Sequence, residues 1–159
     1  MKSIKQEEGD FMDEYEINSN TIALIPIDSE KTKVIEEKET FMVEMCAMKI
    51  IERSCEFFGS TYLGRHMGTK ALTGISHKSP IIIEESKNII YFPTTSPRLD
   101  ECMWLSLKHI QNYKDENGKL MVFFENGQNI NVDISYGSFD NQYLRATKLE
   151  SILRKRKLS

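Results

Sequence analysis

Residues 115–134 read DENGKLMVFFENGQNINVDI. Two runs, KLMVFF and QNINVDI, stand on either side of the Asn126–Gly127 step. An Asn-Gly pair accepts the positive φ of a tight turn, and strand-forming residues flank it, so the segment predicts an antiparallel hairpin. The whole chain has 159 residues, which suits one domain with tails and affords a core.

Upstream, PIIIEESKNIIYFP (80–93) predicts a second hairpin, with two β-branched runs around Glu84–Asn88. Between the two hairpins, CMWLSLKHIQNY (102–113) fits a strand or a short helix, and Trp104, the sole tryptophan, is assigned to the core. Downstream, SYGSFDNQYLRATKLESILRKRKLS (135–159) opens on turn chemistry and becomes a helix, with Phe139, Tyr143, Leu149, Ile152 and Leu153 as its apolar side.

Further towards the N-terminus, CAMKIIERSCEFFG (46–59) has Ile50, Ile51, Ser54, Cys55 and Phe58 at helical spacing, and Gly59 can end that helix at C′. In STYLGRHMGTKALTG (60–74), Ser60 or Thr61 can cap a further helix. Gly64 and Gly68 would share one helical face and permit close approach. Cys55, Phe57 and Phe58 are expected to build the core that holds this element. KTKVIEEKETFMVEM (31–45) fits two strands, or a strand and a turn, with its glutamates and lysines facing solvent. TIALIPI (21–27) reads as a strand whose Pro26 places it at a sheet edge. Residues 1–16 read as an acidic flexible arm with no apolar segment of the signal-peptide kind. The resulting fold class is α+β, mainly antiparallel strands and hairpins, with a central glycine-marked helical element and a C-terminal helix. The divisions are an arm at 1–16, a domain at 17–153 and a basic tail at 154–159.

Composition removes several function classes. No apolar run approaches the roughly eighteen residues of a spanning helix, so no membrane partner is expected. Three cysteines, Cys46, Cys55 and Cys102, lack paired spacing, which fits reduced thiols in the cytoplasm. No cofactor or metal is expected, since zinc needs converging ligands and these cysteines and His66, His77 and His109 are scattered. GSTYLGRHMG lacks the spacing of a phosphate loop or a dinucleotide fingerprint. Ser76–His77 has no third group to complete a triad, and nothing selects a pair of carboxylates. The chain therefore reads as a non-enzyme.

Charge is unevenly placed. Residues 1–56 hold fourteen acids and seven bases, whereas residues 57–159 hold ten acids and fourteen bases. From Phe57 to Ile83 there is no acid at all, while Arg65, Lys70, Lys78, His66 and His77 are present with Ser60, Thr61, Thr69, Thr73 and Ser76. Charge plus short donors suits phosphate oxygens, so the segment is either an anion-binding surface or a packed element with incidental charge. The tail holds Arg145, Lys148, Arg154, Lys155, Arg156 and Lys157 against the one acid Glu150. It complements a helix C-terminus or a duplex backbone. Arg65, Arg98, Asn141 and Arg145 are candidates for A·T-rich minor grooves. Phe57, Phe58 and Tyr62 also fit a protein interface, and a two-fold dimer would double a modest basic face.

At these residues the chain resembles the ComK family of competence transcription factors of low-GC Gram-positive bacteria. The resemblance rests on YEIN (15–18), TIALIP (21–26), IIERSCEFFGSTYLGR (50–65), ISHKSPIII (75–83), YFPTTSP (91–97), Trp104, His109, Asn126–Gly127 and ISYGSFDNQYLRATKL (134–149). It implies a transcriptional activator of DNA-uptake genes that binds paired A/T-rich boxes as dimers, largely from the minor-groove side, in the cytoplasm and on the nucleoid. It also implies proteolytic control through a protease adaptor. By their charge and side-chain chemistry, the DNA-contacting candidates are Ser60, Thr61, Arg65, His66, Lys70, Lys78, Arg98, Asn141, Arg145, Lys148, Arg154, Lys155, Arg156 and Lys157. The better-known family member continues beyond the point equivalent to RKRKLS, and that segment serves adaptor binding and activation. The alternative expectation is a regulatory protein-interaction module, or a non-activating modulator of competence.

Overall fold

The structure is a computed structural model that describes residues 12–158. Its centre is a six-stranded antiparallel sheet. The strands are β1 (Thr21–Pro26), β2 (Thr32–Glu36), β3 (Thr40–Val43), β4 (Ile81–Glu84), β5 (Ile89–Pro93) and β6 (Trp104–Ser106), in the order β3-β2-β1-β6-β5-β4. Both faces of this sheet are covered, which explains why its strands read as continuous apolar runs. Along β4 and β5, Ile82, Ile90 and Phe92 face one core, while Ile81, Ile83, Ile89 and Tyr91 face another.

Helix α1 (Ala47–Phe57) lies on the second of these faces, burying Ala47, Ile50, Ile51, Ser54 and Cys55 against a cluster that includes the fully buried Trp104. On the other face stand a three-stranded sheet of β7 (Ile110–Glu116), β8 (Lys119–Phe124) and β9 (Asn129–Val132), and helix α3 (Tyr136–Leu158). Helix α2 (Tyr62–Thr73) touches α1, β4 and α3. The α+β expectation holds.

Local chemistry explains the junctions. Gly59 takes a φ of 87°. Its N–H donates to Glu56 O at 2.9 Å, and the Ser60 N–H donates to Cys55 O at 2.9 Å. That is the paired bonding of a Schellman end. Thr61 then caps α2, its Oγ1 accepting from the Gly64 N–H at 2.9 Å. At the expected hairpin, Gly127 is at φ 95° and the Phe124 N–H donates to Gln128 O at 2.9 Å. A second Asn-Gly step, Asn117–Gly118, takes φ of 56° and 82° and joins β7 to β8. Positive φ at both positions is the type I′ signature.

Several expectations are corrected. TIALIPI is an interior strand, with β2 on one side and β6 on the other. Pro26 is tolerated there because β6 pairs only with Ala23 and Leu24, leaving no partner on that side to require an N–H from Pro26. Phe57 is 64% exposed and outside the core, because Phe58 takes the inward position four residues after Ser54. Gly64 and Gly68 do not mark a close helix approach. A Cβ at Gly64 would meet only the local Thr61 Oγ1 and Ser60 Oγ, and one at Gly68 would meet nothing within 4 Å. Glu36 is buried rather than solvent-facing, and the Tyr15 hydroxyl donates to it. Of the expected arm, residues 1–11 lie outside the described residues. Residues 12–16 pack on the body: Tyr15 is buried, and Arg53 bonds to Glu14 and Glu16. The expected basic tail continues α3 as far as Leu158.

Candidate nucleic-acid interface

The acid-free segment ends in a loop, residues 74–80, that three side chains hold in place. From α2, the buried Thr69 hydroxyl donates to Pro80 O at 2.7 Å. From α3, Gln142 Nε2 donates to Lys78 O and to Pro93 O, each at 2.9 Å. Arg145 donates through Nη2 to His77 O at 2.5 Å and through Nη1 to Gln142 Oε1 at 2.6 Å. The loop backbone is thereby fixed with Lys78 in the left-handed region, at φ 50°. Its side chain is exposed. A non-glycine residue in that region persists only where its surroundings over-determine it.

Asn141 and Lys148 flank this clamp on the exposed side of α3, and Lys70 is exposed near the end of α2. Asn141, Arg145 and Lys148 thus lie on the stretch of α3 that clamps the loop, Lys70 follows the clamping Thr69 on α2, and Lys78 stands on the loop itself. The other candidates lie elsewhere. Ser60 and Thr61 sit at the α1–α2 junction, at the far end of α2. Arg65 is half-buried with its Nε enclosed and unpartnered. His66 tilts on Tyr62 at 6.0 Å and lines a cleft with Lys78 and Arg98. Arg154 pairs with Glu150 at 3.3 Å, and Lys157 donates to Glu85 O at 2.8 Å. Lys155 and Arg156 are exposed in the last turn. Burial pulls the Arg145 guanidinium pKa below its ordinary value.

Gln142 is absent from the sequence expectations. Its signal is a polar residue at the inward position between Phe139 and Ala146, where helical spacing calls for an apolar one.

A family model described as ComK protein matches residues 12–158. The chain belongs to the ComK family. Among curated proteins, it is 42% identical over 144 residues to the "Competence transcription factor" of Bacillus subtilis (strain 168), an overlap covering 88% of this chain and 75% of that one. No solved structure matches it.

Among the described residues of this ComK-family chain, no group of three or more His, Cys, Asp and Glu is placed to hold a metal, and no helix is long and apolar enough to cross a membrane. One arrangement resembles a hydrolase triad. Ser106 Oγ lies 2.8 Å from His109 Nδ1, and His109 Nε2 lies 3.0 Å from Glu37 Oε2. Ser106 is 1% exposed, so no substrate reaches it. The chain of bonds ties the β2–β3 turn to the second sheet, helped by Asn126 Nδ2 donating to Glu37 O at 3.0 Å.

Burial pulls the His109 pKa below its ordinary value, and the hydrogen bond to Glu37 only partly opposes this. The unfolded chain therefore takes up this proton first as pH falls. The contribution is complete above about pH 6.5 and declines as pH drops below it. Urea midpoints measured between pH 7.5 and 5.5 should fall, and His109→Gln should flatten that fall. An equal slope in the variant would remove His109 as its source.

Proposed function

We propose that this ComK-family chain is a sequence-specific DNA-binding activator of competence genes, acting as a dimer on paired A/T-rich promoter boxes. The observation that carries this reading is the clamped loop. A positive side chain is presented from a backbone fixed by two helices, one exposing Asn141 and Lys148 next to its clamping residues and the other exposing Lys70. Preorganised cations position a duplex through its phosphates, and an exposed Asn beside them can reach A·T edges in the minor groove. The exposed cations of the last turn of α3 add non-specific attraction. The function needs no cofactor and no catalysis, and it places the protein in the cytoplasm, on the nucleoid, under adaptor-mediated proteolysis. The name of the Bacillus subtilis relative supports the same reading.

The test is a salt titration by fluorescence anisotropy on a duplex carrying paired A/T-rich boxes, against a G/C-rich duplex of equal length. The A/T boxes should be preferred near physiological salt. Lys78→Ala and Lys148→Ala should each reduce the log–log salt slope by about one. Equal binding of both duplexes that fades with salt would reduce these residues to a basic surface without sequence preference.

A second reading has its own support. Phe57, Leu63 and Met67 are 64%, 66% and 58% exposed around the start of α2. Such a patch suits a protein contact, either a second copy or a regulator. Complex formation with a protein partner and no duplex binding would favour the interaction module.

A further inference from the structure

A cleft of about 800 Å³ opens between α1, α2, the loop at residues 94–103 and the clamped loop, and its lining includes no residue of α3. Its floor is apolar and includes Met48, Tyr62 and Leu99, backed by the fully buried Trp104, whose ring stands edge-on to Tyr62 at 6.4 Å. Lys78 enters from one loop and Arg98 from another, with His66 and His77 beside Lys78. Asp28 enters from the β1–β2 turn, Glu52 from α1 and Asp100 from the same loop as Arg98. None of Lys78, Arg98, Asp28, Glu52 and Asp100 forms an ion pair with another described residue.

An apolar floor with a few separated polar groups, at this volume, is the usual form of a small-molecule site. Opposite charges that share a cleft without neutralising one another favour a ligand that carries both complements. We propose that the cleft binds a planar aromatic anion whose body also bears N–H donors. The ring system would rest on Tyr62 and Met48, with Trp104 packed edge-on behind Tyr62. The phosphate, sulfonate or carboxylate would sit by Lys78 and Arg98, and the donors would face Asp28 or Glu52. A nucleotide has this chemistry, whether free in solution or as part of a DNA strand.

The sole tryptophan backs the cleft floor and makes binding observable. The probe is 1-anilinonaphthalene-8-sulfonate, which combines a fused aromatic body, an N–H and a sulfonate. It should bind one per chain and quench Trp104 emission by energy transfer. Arg98→Glu lies on an exposed loop residue and Met48→Arg on the cleft wall. Each should weaken binding by about tenfold or more. Leu63→Ser/Met67→Ser, which removes the exposed apolar patch on α2, should leave binding unchanged. Loss of binding in that double variant alone, or no saturable binding to wild type, would overturn the proposal. Competition then separates the sources. Displacement of the probe by dAMP but not by duplex DNA assigns a free ligand, and displacement by duplex assigns a nucleotide of the DNA. Persistence of the probe against both, with inorganic phosphate equally inert, would overturn the nucleotide chemistry.

Discussion

Gln142→Leu should lower the free energy of unfolding by about 2–3 kcal/mol, although leucine is apolar, similar in size and a good helix former. The side chain is 3% exposed and makes three hydrogen bonds, two donated and one accepted. Leucine leaves the carbonyls of Lys78 and Pro93 without this donor, and the Arg145 guanidinium without one acceptor. A buried carbonyl that loses its partner costs more than an average hydrogen bond contributes, because water does not replace the donor. The loop should loosen at the same time. In protein that remains folded, the A/T duplex should be bound more weakly than by wild type, and the Lys78 contribution to the salt slope should shrink. Urea titration with anisotropy on the same samples reads both. A destabilised variant with unchanged DNA binding would show that the clamp serves only the fold.

Phe139→Ala should have the largest effect on stability, about 3–5 kcal/mol. Phe139 is fully buried where α3 meets both sheets. Its ring packs on Tyr113 of β7 at 4.9 Å and on Phe92 of β5 at 5.6 Å. No neighbour closes such a gap without moving a sheet, so the loss includes both the transfer of the ring and the cavity it leaves. Against a total of about 5–15 kcal/mol for an ordinary domain, this variant approaches unfolding at 37 °C. Phe139→Leu keeps most of the volume and should cost about half as much. Equal losses for the two would place the effect in the helix start rather than in packing.

What could be read from the chain follows the range of the interactions. Turns are local, so Asn126–Gly127 and Glu84–Asn88 announce their hairpins. Asn117–Gly118 does so with the same dipeptide. It is harder to see because β7 exposes Gln111, Asn112, Lys114, Asp115 and Glu116 and lacks an apolar run before the turn. The cap at Thr61 and the end at Gly59 are local and legible. The position of β1 is not local. Pro26 signals a missing donor, but whether a neighbour needs that donor depends on how far β6 extends. Phe57 and Phe58 are adjacent, and only the helix phase decides which one turns inward. The candidate site divides in the same way. An acid-free stretch singles out Lys78 without any structure. The clamp beneath it joins residues 64 and 68 positions apart, and no local pattern carries such a pairing.

An open sheet ends in two edge strands whose unpaired backbone groups can template the addition of foreign strands. Here both edges have cover. At β3, Met12 forms a parallel bridge with Val43; its N–H donates to Met42 O at 3.1 Å, and its carbonyl accepts from the Glu44 N–H at 2.8 Å. At β4, α2 packs alongside the strand, while Gln142 and Lys157 of α3 reach the backbone before and after it, at Lys78 and Glu85. The segment that charge pattern alone assigns to a frayed arm therefore closes one edge, and part of the basic tail braces the turn beyond the other. Trimming either terminus for a cleaner preparation would bring on self-association before any loss of folding.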